Sequence, residues 1–86
     1  MMQAGIPQYA WGQCVQAARD LYNDGSYPDQ PLDALLVRSG EAGEVVQVGQ
    51  HADSGLVIYM VEFALHRVVG CFEQELTPGQ SNGGAQ

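Results

Sequence analysis

Two cysteines, two histidines and a closely spaced pair of glutamates are the side chains here with chemistry to offer, and their spacing limits what that chemistry is. Cys71 stands out because thiolates are the usual ligands of iron–sulfur clusters. A cluster held by one chain needs more cysteines than two, and Cys71 shares the strand parity of Val69. Burial as a small hydrophobe is therefore its expected role, with metal ligation the weaker candidate. Cys14 precedes Val15 and faces the other way, so it is exposed if Val15 is core. A Cys14–Cys71 disulfide would follow if the first and last strands pair, but a reducing compartment argues against it. His51 and His66 sit in different turns, neither at metal-ligand spacing from a cysteine or from each other. Each reads as a surface loop histidine, with transient metal capture by His51 and Asp53 as the alternative. Glu73 and Glu75 lie two apart, a spacing that suggests paired carboxylates for acid–base work. On an exposed terminal turn they read instead as solvated charges. No Ser–His–Asp order, P-loop, dinucleotide fingerprint or nucleophile elbow is present, and the expectation is a protein that is not an enzyme.

The chain that must position these residues has 86 residues, enough for one domain with a compact core. Ten carboxylates stand against three arginines and no lysine, a formal net charge of −7. Arg19, Arg38 and Arg67 cannot make the basic stripe that phosphate contacts require, so nucleic acid and anionic membrane are excluded as partners. A basic or neutral protein surface suits this charge better. The opening MMQAGIPQYAW lacks the basic and apolar regions of a secretory signal, and the apolar run Leu56 to Val61 is too short to cross a bilayer. Two cysteines far apart, without a C-x-x-C partner, fit a reducing compartment, and a cytoplasmic location is expected.

No window sustains a helical apolar period; short β-branched segments punctuated by Gly, Pro, Asn and Asp recur instead. Strands are expected at Gln13 to Leu21, Leu35 to Arg38, Gly43 to Gly49, Leu56 to Phe63 and Arg67 to Phe72. In the third, Glu44, Val46 and Val48 should share one face and Val45 and Gln47 the other. In the fourth, Tyr59, Val61 and Phe63 alternate with Ile58, Met60 and Glu62, and both faces are largely apolar, as suits a central strand. Between them fall the loop YNDGSYPDQP, in which Gly25 can take a positive φ, a turn at Ser39-Gly40, the polar connection HADSG and a short turn at Ala64-Leu65-His66. Glu73 to Leu76 can form one helical turn. Residues 1–8 are expected to be a flexible start and 77–86, TPGQSNGGAQ, a disordered tail. Five short antiparallel strands in residues 9–76 suggest an all-β, SH3-like barrel, with a two-layer antiparallel sheet as the nearest competitor.

Binding usually resides on loops carried by a rigid β scaffold, and residues 22–29 are the preferred functional surface. Tyr22 and Tyr27 offer amphipathic contact area; Asp24 and Asp29 add charge that steers a basic partner. The bland alternative is a loop folded on its own barrel. Trp11 is expected as a core plug below this loop, with a place in an aromatic contact patch as the alternative.

Several phrases resemble the NifZ family. These are YAWGQCVQAARDLYNDGSYPD at residues 9–29, LLVRSGEAGEVVQVG at 35–49, IYMVEF at 58–63 and VVGCFEQEL at 68–76. The loop phrase and the Val-Gly-Cys-x-Glu-x-Glu-Leu ending are the specific ones, and the four phrases in order cover nearly the whole folded part. The resemblance implies a non-catalytic, chaperone-like accessory factor in nitrogen fixation. It would assist maturation of the nitrogenase molybdenum–iron protein, the step that forms its P-clusters, by binding an immature form of it. Other nitrogen-fixation assembly factors are further candidate partners, and the resemblance implies no cofactor of its own. The loop residues, with the edge from Val68 to Glu75 and its carboxylates Glu73 and Glu75, are the expected contact surface. An electron-transfer or regulatory subunit that docks on an iron–sulfur enzyme is the rival reading.

Overall fold

The computed structural model describes residues 7–79, and every regular element in that range is a strand or a single 3-10 turn. In chain order these are β1 (Cys14–Ala17), β2 (Leu21–Tyr22), β3 (Leu35–Val37), β4 (Ala42–Gln50), β5 (Val57–Phe63), a 3-10 turn at Ala64–His66, β6 (Arg67–Phe72), a second 3-10 turn at Glu73–Glu75, and β7 (Leu76–Pro78). Among the described residues no helix is long and apolar enough to cross a membrane.

Five strands form one antiparallel sheet in the order β6-β5-β4-β1-β7, and β2 and β3 pair separately. The long central strands show why. In β5, Val57, Tyr59, Val61 and Phe63 are buried while Ile58, Met60 and Glu62 are half-buried, the alternation expected of a strand packed on one face and partly covered on the other. The inner face packs with Leu21, Leu36 and Val37 from the β2–β3 pair and with Val15, Val45, Val69 and Leu76. The core is therefore a five-stranded sheet under a two-stranded lid. No ladder joins β6 to β7 among the described residues, so the expected closed barrel is not formed by pairing. The lid covers the inner face where closure would otherwise be needed.

The number of strands in the sheet matches expectation, but the membership differs. The first expected strand stops at Ala17, and Leu21 pairs with Val37 in the lid. The second expected strand, Leu35 to Arg38, pairs in the lid as well, and its place in the sheet is taken by Leu76–Pro78, which pairs with β1. Thr77 and Pro78, assigned to a tail, thus lie in a strand, and the Gly79 N–H donates to Cys14 O at 2.9 Å. The polar composition hid this because β7 buries only Leu76 and is held by backbone pairing. Residues 80–86 of the expected tail and 1–6 of the expected flexible start lie outside the described residues.

The face assignment in β4 is also corrected. Val45 pairs with Val61 and Gln47 with Met60, leaving Val46 as an extra residue in a β-bulge. The bulge brings Val45 and Val48 to the same inner face, three residues apart, where strict alternation groups Val48 with Val46. Gly43 permits the close approach of β5: a Cβ there would lie 2.7 Å from Val61 Cγ1 and 2.9 Å from Glu62 O.

Candidate functional site

The loop after β2 is built around Asn23, a polar side chain buried to 1% exposure. Its amide Nδ2 donates to Tyr27 O at 2.9 Å, Gln30 O at 2.8 Å and Pro31 O at 3.1 Å. Its Oδ1 accepts from Gly25 N at 3.0 Å and Tyr27 N at 3.1 Å. One side chain, its two amide N–H bonds shared among three carbonyls, thereby engages five backbone groups of a segment too short for its own ladder. Gly25 takes φ +101°, the positive value expected of it. The Asp24 Oδ1 accepts from Ser26 Oγ at 2.7 Å and from Ser26 N at 3.0 Å. Those bonds favour the charged form and hold the Asp24 carboxyl below its ordinary range. The loop is thus an anionic, internally braced hook.

The hook lies beside β6. A groove of about 420 Å³ is lined by Asp24, Ser26 and Tyr27 of the loop, by Val68 to Phe72 of β6, by Ile58 and Met60 of β5, and by His51. Of the expected contact residues, Asp24 and Tyr27 line it together with the β6 edge. Tyr22 stands apart, 59% exposed and opposite Leu35 in the lid, and Asp29 is exposed outside the groove.

Glu73 and Glu75 are not free solvated charges. The Tyr59 hydroxyl donates to Glu73 Oε2 at 3.0 Å, and the Gln8 N–H donates to the Tyr59 hydroxyl at 2.7 Å and to Glu73 Oε2 at 3.2 Å. Gln8, expected in a flexible start, is thereby fastened to the sheet. Tyr9 stacks edge-on against Tyr59 with ring centroids 5.3 Å apart. Glu75 Oε1 accepts from Phe72 N at 2.9 Å. The two carboxylates serve different neighbours and form no acid–base pair.

Cys71 is buried, and desolvation, with Glu75 nearby, pushes its thiol up to about 12. A protonated, inaccessible sulfur is a packing group. Cys14 is exposed, and its strand pairs with β4 and β7, so β4 and β5 stand between it and the strand of Cys71; both cysteines are free. Among the described residues no group of three or more His, Cys, Asp or Glu is placed to hold a metal ion. His51 Nδ1 lies 3.3 Å from the Ser54 N–H that caps its hairpin, and His66 Nδ1 lies 2.8 Å from Glu62 Oε2. Trp11, expected in the core, is 74% exposed; Tyr59 and Tyr9 fill the space under the N-terminal segment instead.

Sequence reasoning missed Asn23 as the keystone of the loop. The available signal was an Asn two residues before a glycine at the mouth of a Pro-rich loop, where its amide can brace the turn.

The chain is thus a small all-β domain carrying a braced acidic loop beside an open sheet edge. The chain belongs to the NifZ family: the NifZ domain matches residues 6–78. It is 43% identical over 72 residues to "Protein NifZ" of Azotobacter chroococcum mcd 1, covering 83% of this chain and 45% of the relative. It is 40% identical to that of Frankia alni over 79% of this chain and 36% of the relative, and 36% identical to that of Klebsiella pneumoniae over 84% and 49%. The matched part thus spans less than half the length of these relatives. No solved structure matches.

Proposed function

We propose that this chain is a cytoplasmic accessory factor in nitrogen fixation. It assists maturation of the nitrogenase molybdenum–iron protein, at the stage of P-cluster formation, by binding an immature form rather than by catalysing a reaction. Membership of the NifZ family supports the nitrogen-fixation setting. The observation that carries the binding reading is the groove where the braced Asp24–Tyr27 loop meets edge strand β6. Tyr22 and Asp29 extend the contact surface along the lid, while Glu73 and Glu75 hold the turn that ends β6. A small SH3-like architecture is part of the reading: β1 lies between β4 and β7, and a 3-10 turn leads into the last strand.

Such a factor acts by favouring one state of its client, and binding equally to two states shifts no equilibrium. Anaerobic calorimetry against immature and mature molybdenum–iron protein is the test, with tighter binding to the immature form expected. Tyr22→Ala and Asp29→Asn, at exposed side chains, should each weaken that binding by roughly three- to tenfold. Equal affinity for both forms overturns the maturation role. Binding to neither, with affinity for a ferredoxin or reductase, would make the chain a docking subunit of an electron-transfer system instead.

A further inference from the structure

The edge of β6 has the polarity of an unfilled ladder. In an antiparallel strand successive backbone groups point alternately to the two neighbours. The Phe72 N–H donates to the Glu75 carboxylate rather than across to β5. On the other side of the sheet, the Val45 N–H donates to Gln13 O. Both fix the same alternation: Val69 and Cys71 bond toward β5, and the N–H and C=O of Val68 and Gly70 point outward. β6 is the terminal strand of its sheet, and Val68 and Gly70 make no backbone bond outside it among the described residues. Glu75 therefore caps one end of the edge and leaves two residues open beside the groove.

The side chains next to that edge say what fits. Gly70 leaves a gap on the outer face between Ile58 and Met60, directly across from Met60 in the ladder. A residue added opposite Gly70 projects its side chain on that face, where a large apolar group covers a glycine gap. Carboxylates outnumber cations around it: Arg67, next to Val68, turns its guanidinium to Leu36 O, and His66 Nδ1 lies 2.8 Å from Glu62 Oε2. Asp24 lines the groove, and at the Val68 end the row continues through Glu62 to Glu44, two carboxylates directly opposite each other. Like charges in that position repel, and a cation relieves them. We propose that the β6 edge accepts an extended, basic segment of a partner polypeptide as an added strand, with a large apolar side chain seated over Gly70. This rests on the protein-binding reading above and specifies what that surface recognises. A second copy of the chain is a poor occupant, because it brings the same net charge of −7.

The probe is a fluorescein-labelled nonapeptide, Thr-Thr-Lys-Thr-Phe-Thr-Lys-Thr-Thr, whose lysines share the face of the Phe, titrated into the full chain by anisotropy and by amide chemical shifts. It should bind and move the Val68 and Gly70 amides. Replacing its lysines by glutamates, or N-methylating the Phe so that it cannot donate to β6, should cost about tenfold or more. Gly70→Val should cost as much, since it fills the gap. A Cβ at Gly70 meets Met60 Sδ at 3.5 Å and Ile58 Cγ2 at 3.6 Å, ordinary contacts, so the variant is expected to fold. If it does not, the N-methylated peptide decides the question on the unmodified chain. Absence of binding, equal binding of the glutamate peptide, or indifference to N-methylation overturns the proposal. So does a dimer in sedimentation that the peptide dissociates, which would make a second copy the occupant. If the chain binds immature nitrogenase protein but not the peptide, the assembly role stands and the edge assignment falls; the reverse result leaves the edge and removes the role.

Discussion

Single residues decide the local chemistry. For Cys71 burial in the folded state raises the thiol to about 12 from its ordinary 9.0. The neutral thiol is what the fold holds, so its contribution is complete below about pH 9 and is lost as pH rises toward 12, at up to about 1.4 kcal/mol per unit. Urea midpoints at pH 8 and pH 10.5 should therefore fall more in the natural chain than in Cys71→Ala, and at pH 8 iodoacetamide should label Cys14 but spare Cys71. Asn23→Ala strands backbone groups of the loop and should cost on the order of 3 kcal/mol in urea unfolding. Asn23→Asp should not rescue it, because a carboxylate cannot donate to Tyr27 O, Gln30 O and Pro31 O. The burial of Cys71 and exposure of Cys14 were legible from parity with Val69 and Val15. Asn23 was not, because a turn-forming Asn and a buried keystone Asn look alike until the loop closes on it. Trp11 was misread for a related reason: size favours the core, but Tyr9 and Tyr59 already occupy the site beneath that segment.

At the scale of elements, the sequence spoke clearly where a strand buries one face in strict alternation and poorly where backbone pairing does the holding. β5 and β6 were readable to within a residue of their ends. The bulge at Val46 was not, since nothing in GEVVQVG marks which residue is extra. β7 was lost for the opposite reason, being nearly all polar or Pro and secured by its ladder to β1. Gly43 offers the sharpest element-level test. Gly43→Ala places a methyl against Val61, Glu62 O and Phe63, and the β4–β5 register must shift or separate. It should lower stability by about 1–3 kcal/mol in thermal or urea unfolding, whereas Gly49→Ala, with open space around it, should cost under about 1 kcal/mol.

The whole molecule carries a large excess of negative charge around a small core. With ten carboxylates and three arginines, self-repulsion opposes the compact state and is screened by salt. The thermal midpoint should rise between about 20 mM and 300 mM sodium chloride; a flat or falling midpoint would mean that specific ion pairs outweigh the repulsion. Composition made this global property legible. The candidate groove was only half legible: its loop and its edge were each picked out, but their meeting depends on the lid hairpin folding back over the sheet. That long-range packing leaves no mark in local periodicity.

The pairing of β1 with β7 also sets an order of events during synthesis. The β5–β6 hairpin, joined by a three-residue turn, can form as soon as both strands have left the ribosome. β1 must wait, with one neighbour about thirty residues downstream and the other about sixty, so its ladder closes only after Leu76–Pro78 has emerged. Until then a nascent chain displays β1 with an unsatisfied side, and in those seconds a trigger-factor-like holdase would find its target.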